Sequence, residues 1–388
     1  MKRWGLFLVF LLLVVAFLPV ASLYMKPAAV EADEFYFGVS FDGKSAEEAF
    51  PLIDKVKDYT NLFVIMAWGI ATNQTALDMV CDYAADSDLY FIVFFAFISR
   101  TSYPWHQQWL DEANQRWGDK FLGVYLNDEY GGKQIEENGL FTFATDYDDA
   151  AERFINGVRF GPSGIATSMT DANDKGIRLF TADFLLYWWD YLAGYDVVFA
   201  ELGWNITSNR QIALCRGAAT VQGKDWGTII VWETDNPPYL GSTEKIYCDM
   251  VDSYRAGAKY VIVFNYPTYP EDNPYGILSD DHFKTMQQFW QHTKIYSRST
   301  YGVITADTVL VLPQNYGWGM RRSPYILEDP IWGIWSEDDK APQILKNVQW
   351  MEKHCNLQYD IIYENPQFNY KNLYQQIIYW NTTLPQIF

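Results

Sequence analysis

The fold class this sequence predicts is α/β: a (β/α)8 (TIM) barrel of parallel strands followed by a small C-terminal α/β unit. Three observations lead there. Uninterrupted apolar runs recur and stop on an acid, an amide or an aromatic: Phe35 to Asp42, Leu62 to Trp68, Tyr90 to Phe97, Phe121 to Asn127, Val197 to Glu201, Thr228 to Glu233 and Tyr260 to Asn265. Strands buried on both faces read this way, and their carboxyl ends deliver polar residues to one rim. Between them lie helical patterns, and regular strand–helix alternation argues for a parallel sheet. The chain of 388 residues is long enough for a barrel of about 250 residues with an appendage.

In order, helices are expected near Ser45 to Tyr59, Gln74 to Asp86 and Trp105 to Trp117, each after one of the first three strands. The fourth strand runs into Asn127, Asp128 and Glu129, then Gly131 and Gly132. From Gly132 to Ala172 the rhythm breaks into a Gly- and Asp-rich stretch longer than an ordinary βα connection, read as an insertion over the site. A single helix from about Asp174 to Ala193 is then expected, with Trp188 and Trp189 as packing residues, before the fifth strand at Val197. Thr207 to Gln222 reads as a helix, and the strands ending at Glu233 and Asn265 take sixth and seventh place. The eighth position falls to Tyr275–Leu278, ahead of a helix from Asp281 to Thr293. Residues 33–296 are thus assigned to the barrel. In residues 300–388 the pattern restarts, with strands at Thr308–Leu312, Tyr359–Tyr363 and Gln376–Trp380, and a helix at Ala341–Cys355.

Lys2 and Arg3 precede an uncharged run from Trp4 to Met25. That order marks a cleavable secretory signal or an amino-terminal membrane anchor, and residues 1–25 are assigned to one or the other. The acids Glu31, Asp33 and Glu34 on the far side orient the body outward. The expected location is therefore extracytoplasmic, either secreted or held at the outer face of the cytoplasmic membrane through residues 4–25. The sequons at Asn73, Asn205 and Asn381 suit such a glycoprotein. A net charge of −19 argues against nucleic acid, which needs clustered cations to displace counterions. The four cysteines lack metal-ligand spacing; Cys215 with Cys248 is the favoured bridge, and buried free thiols are the alternative.

On the barrel reading the rim presents Asp42, Trp68, Asn127, Asp128, Glu129, Glu201, Trp204, Trp232, Glu233, Asp235, Asn265 and Tyr266. Carboxylates among aromatics suit carbohydrate. Cleaving a glycosidic bond needs one carboxyl group to protonate the leaving oxygen and another group to meet the developing cation, while aromatic faces stack on sugar C–H surfaces. Histidines number four and avoid the strand ends, no G-x-S-x-G elbow occurs, and no G-x-G-x-x-G spacing is present. No metal and no cofactor is expected.

On these residues the stretch 35–296 resembles the clan of barrel glycoside hydrolases. At Asp128–Glu129, closing the fourth strand, it is similar to the substrate-assisted hexosaminidases. The resemblance implies Glu129 as acid and base, and Asp128 as the residue that orients the substrate's acetamido group in place of a protein nucleophile. Other barrel hydrolases carry a nucleophile on the seventh strand, and the run ending at Asn265 has no carboxylate there; Glu201 and Glu233 are the alternative partners. Successive strand residues face opposite sides, so Asp128 and Glu129 share the mouth only if the chain turns, and Gly131–Gly132 is the expected turn. The competing expectation is a non-catalytic glycan-binding or cell-envelope protein on the same scaffold, since fold does not fix chemistry.

Overall fold

The computed structural model describes residues 34–95, 103–130, 144–160, 169–203, 207–234, 237, 239–266, 273–316 and 340–385. From Phe35 onward the chain forms one compact unit. The first half alternates β1 (Tyr36–Phe41), α1 (Ala46–Val56), β2 (Leu62–Ile65), α2 (Trp68–Ala71), α3 (Gln74–Asp86), β3 (Tyr90–Phe94), α4 (Trp105–Trp117) and β4 (Phe121–Tyr125). There follow α5 (Tyr147–Phe160), α6 (Met169–Asp174), β5 (Leu179–Asp183), α7 (Tyr187–Ala193), β6 (Val197–Leu202), α8 (Ser208–Gln222), β7 (Asp225–Ile230), α9 (Thr243–Arg255) and β8 (Tyr260–Val263). After α10 (Asp280–Ile295) and α11 (Arg298–Tyr301) come β9 (Thr308–Leu312), α12 (Ala341–Cys355), β10 (Tyr359–Tyr363) and β11 (Gln376–Tyr379). Strands β1 to β8 close a parallel barrel in sequence order, with Gly38 of β1 opposite Leu62 of β2 and Ile262 of β8.

Two expectations are corrected. The segment read as one helix from Asp174 to Ala193 contains strand β5 and the shorter helix α7. Tyr275–Leu278, read as the eighth strand, lies in turns, and Tyr260–Val263 closes the barrel. The strands starting near Val197, Thr228 and Tyr260 are therefore the sixth, seventh and eighth. The cause is physical: Leu179–Asp183 is buried throughout and only Phe184–Leu186 separate it from the apolar helix α7, so neither period 2 nor period 3.6 stands out.

Alternation along the strands divides the core in two. Tyr36, Leu62, Val64, Ile92, Phe94, Tyr125, Phe180, Phe199, Ile229, Tyr260 and Ile262 point inward and fill the lumen. Their intervening neighbours, among them Phe37, Phe63, Val93, Val198 and Val261, pack under the helices. Inside, Tyr36 stacks on Tyr260 at 5.0 Å and Phe180 on Phe199 at 5.8 Å between ring centroids. Gly123 in β4 sits at φ 143°, and a side chain there would meet the Arg178 carbonyl at 2.2 Å, so β4 and β5 approach closely only because this residue is glycine.

The small sheet is parallel, ordered β10-β9-β11. It packs on α8, whose residues Arg210–Ala219 are all buried, which is why that helix lacks a polar face. Arg216 makes an ion pair with Asp360 at 2.8 Å and donates to the carbonyls of Ile304, Leu357 and Tyr359. Arg210 grips Glu352 with two hydrogen bonds, and the Ile361 carbonyl would lie 2.7 Å from a side chain at Gly217.

The four cysteines are free. The expected Cys215–Cys248 bridge is overturned: the Cys215 thiol faces the Val198 carbonyl of β6, whereas Cys248 is exposed on α9. Among the described residues no helix is long and apolar enough to cross a membrane. The run from Trp4 to Met25 lies outside them.

Candidate active site

At the carboxyl-end mouth a cavity of about 230 Å3 is bounded by Asp42 after β1, Met66 after β2, Tyr125, Asp128 and Glu129 at the end of β4, and Ala182 of β5. Glu201 of β6, Ile229 and Val231, Trp232 after β7, and Phe264 and Tyr266 after β8 complete it. Asp42, Glu201, Phe264 and Tyr266 continue the inward alternation of Tyr36, of Val197 and Phe199, and of Tyr260 and Ile262.

The end of β4 departs from that alternation. Asn127 at φ 51° and Glu129 at φ 48° both lie in the left-handed region, which side chains other than glycine seldom adopt. This double reversal is what lets the adjacent Asp128 and Glu129 both line the cavity. The expected turn at Gly131–Gly132 lies outside the described residues. The conformation is held from β5: Thr181 donates to the Asn127 carbonyl at 2.5 Å and the Glu129 amide donates to the Ala182 carbonyl at 3.1 Å. Tyr195 donates to the Leu126 carbonyl at 2.6 Å, and the buried Asn127 side-chain amide reaches the Val158 carbonyl.

The carboxyl groups of Asp42, Asp128, Glu129 and Glu201 share this cavity. Burial, then the Glu129 carboxyl in hydrogen-bonding contact, then the charges of Asp128 and Asp183 push Glu201 well above the usual carboxylate range. Burial first, then Asp128, raises Asp42 to about 6. Asp128 is the charge against which its neighbours are displaced. It accepts a hydrogen bond from the Tyr125 hydroxyl, which itself accepts from the Ala182 amide at 2.8 Å. Two carboxyl groups in contact inside a poorly solvated pocket cannot both ionise, so the Glu129–Glu201 pair retains one proton. Beside them, Trp232, Phe264 and Tyr266 form one aromatic wall, with Trp232 and Tyr266 5.5 Å apart.

Of the residues named from sequence, Asp42, Asp128, Glu129, Glu201, Trp232 and Tyr266 meet here. Asn127 lies beneath, buried in the turn. Asn265 is fully buried off the alternation, its backbone N–H on the Ser40 hydroxyl. Two placements differ from expectation. Glu233 turns away to pair with Lys245 of α9 at 3.0 Å, because the chain loses strand geometry after Ile230. Trp68 opens helix α2 and stands 48% exposed outside the cavity. Trp204 and Asp235 lie outside the described residues. Sequence reasoning missed Tyr125, Met66 and Phe264. Alternation backward from Tyr266 would have found Phe264, and the inward parity of β4 would have found Tyr125.

A larger hollow, about 470 Å3, opens at the opposite end of the barrel between Ile177, Arg178, Asp196, Lys224 and Asp225. Its charges are already matched in pairs, Lys224 with Asp196 and Arg178 with Asp225, so volume alone does not make it the site. Among the described residues no group of His, Cys, Asp and Glu has the arrangement of a metal site.

No family model and no curated protein matches the chain. Solved structures do. A GH10 endoxylanase retrieved from a sugarcane soil metagenome is similar at 13% identity and a TM-score of 0.41, over 66% of this chain and 97% of that one. Saccharomyces cerevisiae Gas2p in complex with laminaritetraose and laminaripentaose is similar at 11% and 0.40, over 68% and 65%. Orotidine 5'-monophosphate decarboxylase from Methanocaldococcus jannaschii is similar at 10% and 0.34, over 66% and 98%. A decarboxylase stands beside a xylanase in this set, so the likeness is one of barrel fold alone.

Proposed function

We propose that this chain is a glycoside hydrolase acting outside the cytoplasm, with Glu129 as the proton donor to the leaving oxygen. The observation that carries the reading is the contact between Glu129 and Glu201 beside Asp128, in a cavity walled by Trp232 and Tyr266. One proton held between two glutamates and a separate anion on Asp128 are the two charge states the reaction needs at the same pH. Glu201 is too close to Glu129 to serve as the second carboxylate: retaining enzymes separate the pair by about 5 Å and inverting ones by about 6.5–9.5 Å. Its role is to store the proton that Glu129 delivers. Glu233, three residues past β7, is engaged by Lys245. These facts favour the substrate-assisted form, in which Asp128 orients a 2-acetamido group whose carbonyl oxygen attacks the anomeric carbon as the leaving group departs protonated. Water then opens the cyclic intermediate with Glu129 as base.

The test is hydrolysis of a panel of aryl glycosides, N-acetylhexosaminides included, by the wild type and Glu129→Gln. Turnover lost in the variant with unchanged thermal unfolding supports the reading; equal turnover rejects it. Sugar binding by the wild type without cleavage of any panel member would favour a non-catalytic glycan-binding surface protein.

A further inference from the structure

We infer that Tyr125 is a positioning residue of this site: its hydroxyl, locked between a backbone amide of β5 and Asp128, holds that carboxylate as a fixed anion at the cavity edge. The inference rests on the reading of Asp128 as the acting anion. A phenol hydroxyl has one proton to give and accepts through its oxygen. Here the Ala182 N–H occupies the oxygen at 2.8 Å, which leaves the proton directed at Asp128 Oδ1. The ring and its bond from Ala182 are buried, while Asp128 is partly exposed at the cavity edge.

The barrel gives up regular pairing to make room for this hydroxyl. The β4–β5 register holds only at Val124↔Leu179 and Tyr125↔Phe180, whereas β5 and β6 stay paired over four positions. Beyond Phe180 the next β5 amide available to the ladder, that of Ala182, goes to the tyrosine, and the Leu126 carbonyl is taken by the Tyr195 hydroxyl at 2.6 Å. Among the described residues, the titratable groups that line the cavity with Asp128 are Tyr125 of β4, Glu129 just after it, Asp42 after β1, Glu201 of β6 and Tyr266 after β8. Of these, Tyr125 is seen donating to Asp128. Burial, then the charges of Asp128 and Glu201, lifts its phenol well above the ordinary tyrosine range, so it remains a donor at working pH.

The experiment uses the full chain carrying 13C-carboxyl aspartate, with the Asp128 resonance assigned by its loss in Asp128→Asn. In Tyr125→Phe the Asp128 titration midpoint should rise by about one to two pH units, the loss of one hydrogen bond to a charged group. The acid limb of kcat/KM on the best aryl glycoside should move with it. A midpoint unmoved in Tyr125→Phe overturns the inference. If that variant does not fold, 3-fluorotyrosine at position 125, a stronger donor of the same shape, should lower the midpoint, and no movement there overturns it equally. The titration needs no turnover: an inactive wild type, or an active Glu129→Gln, would reject the hydrolase reading, while the Asp128 resonance would still decide whether Tyr125 holds that carboxylate.

Discussion

Replacing Glu201 by Gln isolates the proton that the two glutamates share. Two carboxylates in hydrogen-bonding contact inside a poorly solvated cavity repel strongly, so the second proton is hard to remove. This is why the pair keeps one proton far above the ordinary carboxylate range, in the direction that burial and Glu129 already impose on Glu201. Glutamine removes that proton. Its amide donates to Glu129, which then stays ionised and has nothing to give the leaving oxygen. General acid catalysis contributes about 10²–10⁴-fold, so kcat/KM for an aryl glycoside with a poor leaving group should fall by that amount. A dinitrophenyl glycoside, whose leaving group needs little protonation, should be nearly unaffected, and the optimum for the poor substrate should move to lower pH. Thermal unfolding should change little, since the variant preserves the hydrogen bond and the net charge of the pair. Wild-type kinetics and pH profile on the poor leaving group would refute the shared-proton argument.

Asp42 offers a stability test. Its carboxyl titrates near 6 in the folded chain against an ordinary 3.8, so the native state binds the extra proton, and stability falls as pH rises through that window. A shift of about two units corresponds to about 3 kcal/mol, reduced to about 1–2 kcal/mol because the group meets water at the mouth. Asp42→Asn should therefore be the more stable protein at neutral pH by that margin and lose the advantage below about pH 4, as followed by urea unfolding. Arg216→Met should destabilise by about 3–5 kcal/mol by stranding the buried Asp360, and adding Asp360→Leu should restore only part of it in the same assay, because the three carbonyls that Arg216 served and the Tyr374 hydroxyl still lack those partners.

Most of the barrel was legible because the apolar runs of seven strands stop at an acid, an amide or an aromatic in the sequence, and Asp42, Asp128, Glu129 and Glu201 were legible for the same reason. Strand β5 was not. Leu179–Asp183 ends on an acid as other strands do, but only Phe184–Leu186 separate it from the helix at Tyr187, with no glycine or proline to mark the boundary. Without that strand the count is displaced, and the run ending at Glu233 reads as the sixth when it is the seventh. The position of Glu233 is decided by Lys245, a residue of the following helix, which no local pattern announces. The reversal that aims both Asp128 and Glu129 inward was equally hidden, since Asn127 and Glu129 adopt left-handed backbone only because β5 supplies the bonds that hold them.

The stacked rings of Tyr36, Tyr260, Phe180 and Phe199 stopper the channel below the carboxyl groups. Among the described residues the pocket is thus closed through the barrel, so arrivals and departures use the carboxyl-end side. A spent molecule must back out before the next can enter, and a released sugar should accordingly behave as a competitive inhibitor whose effect is erased by excess substrate.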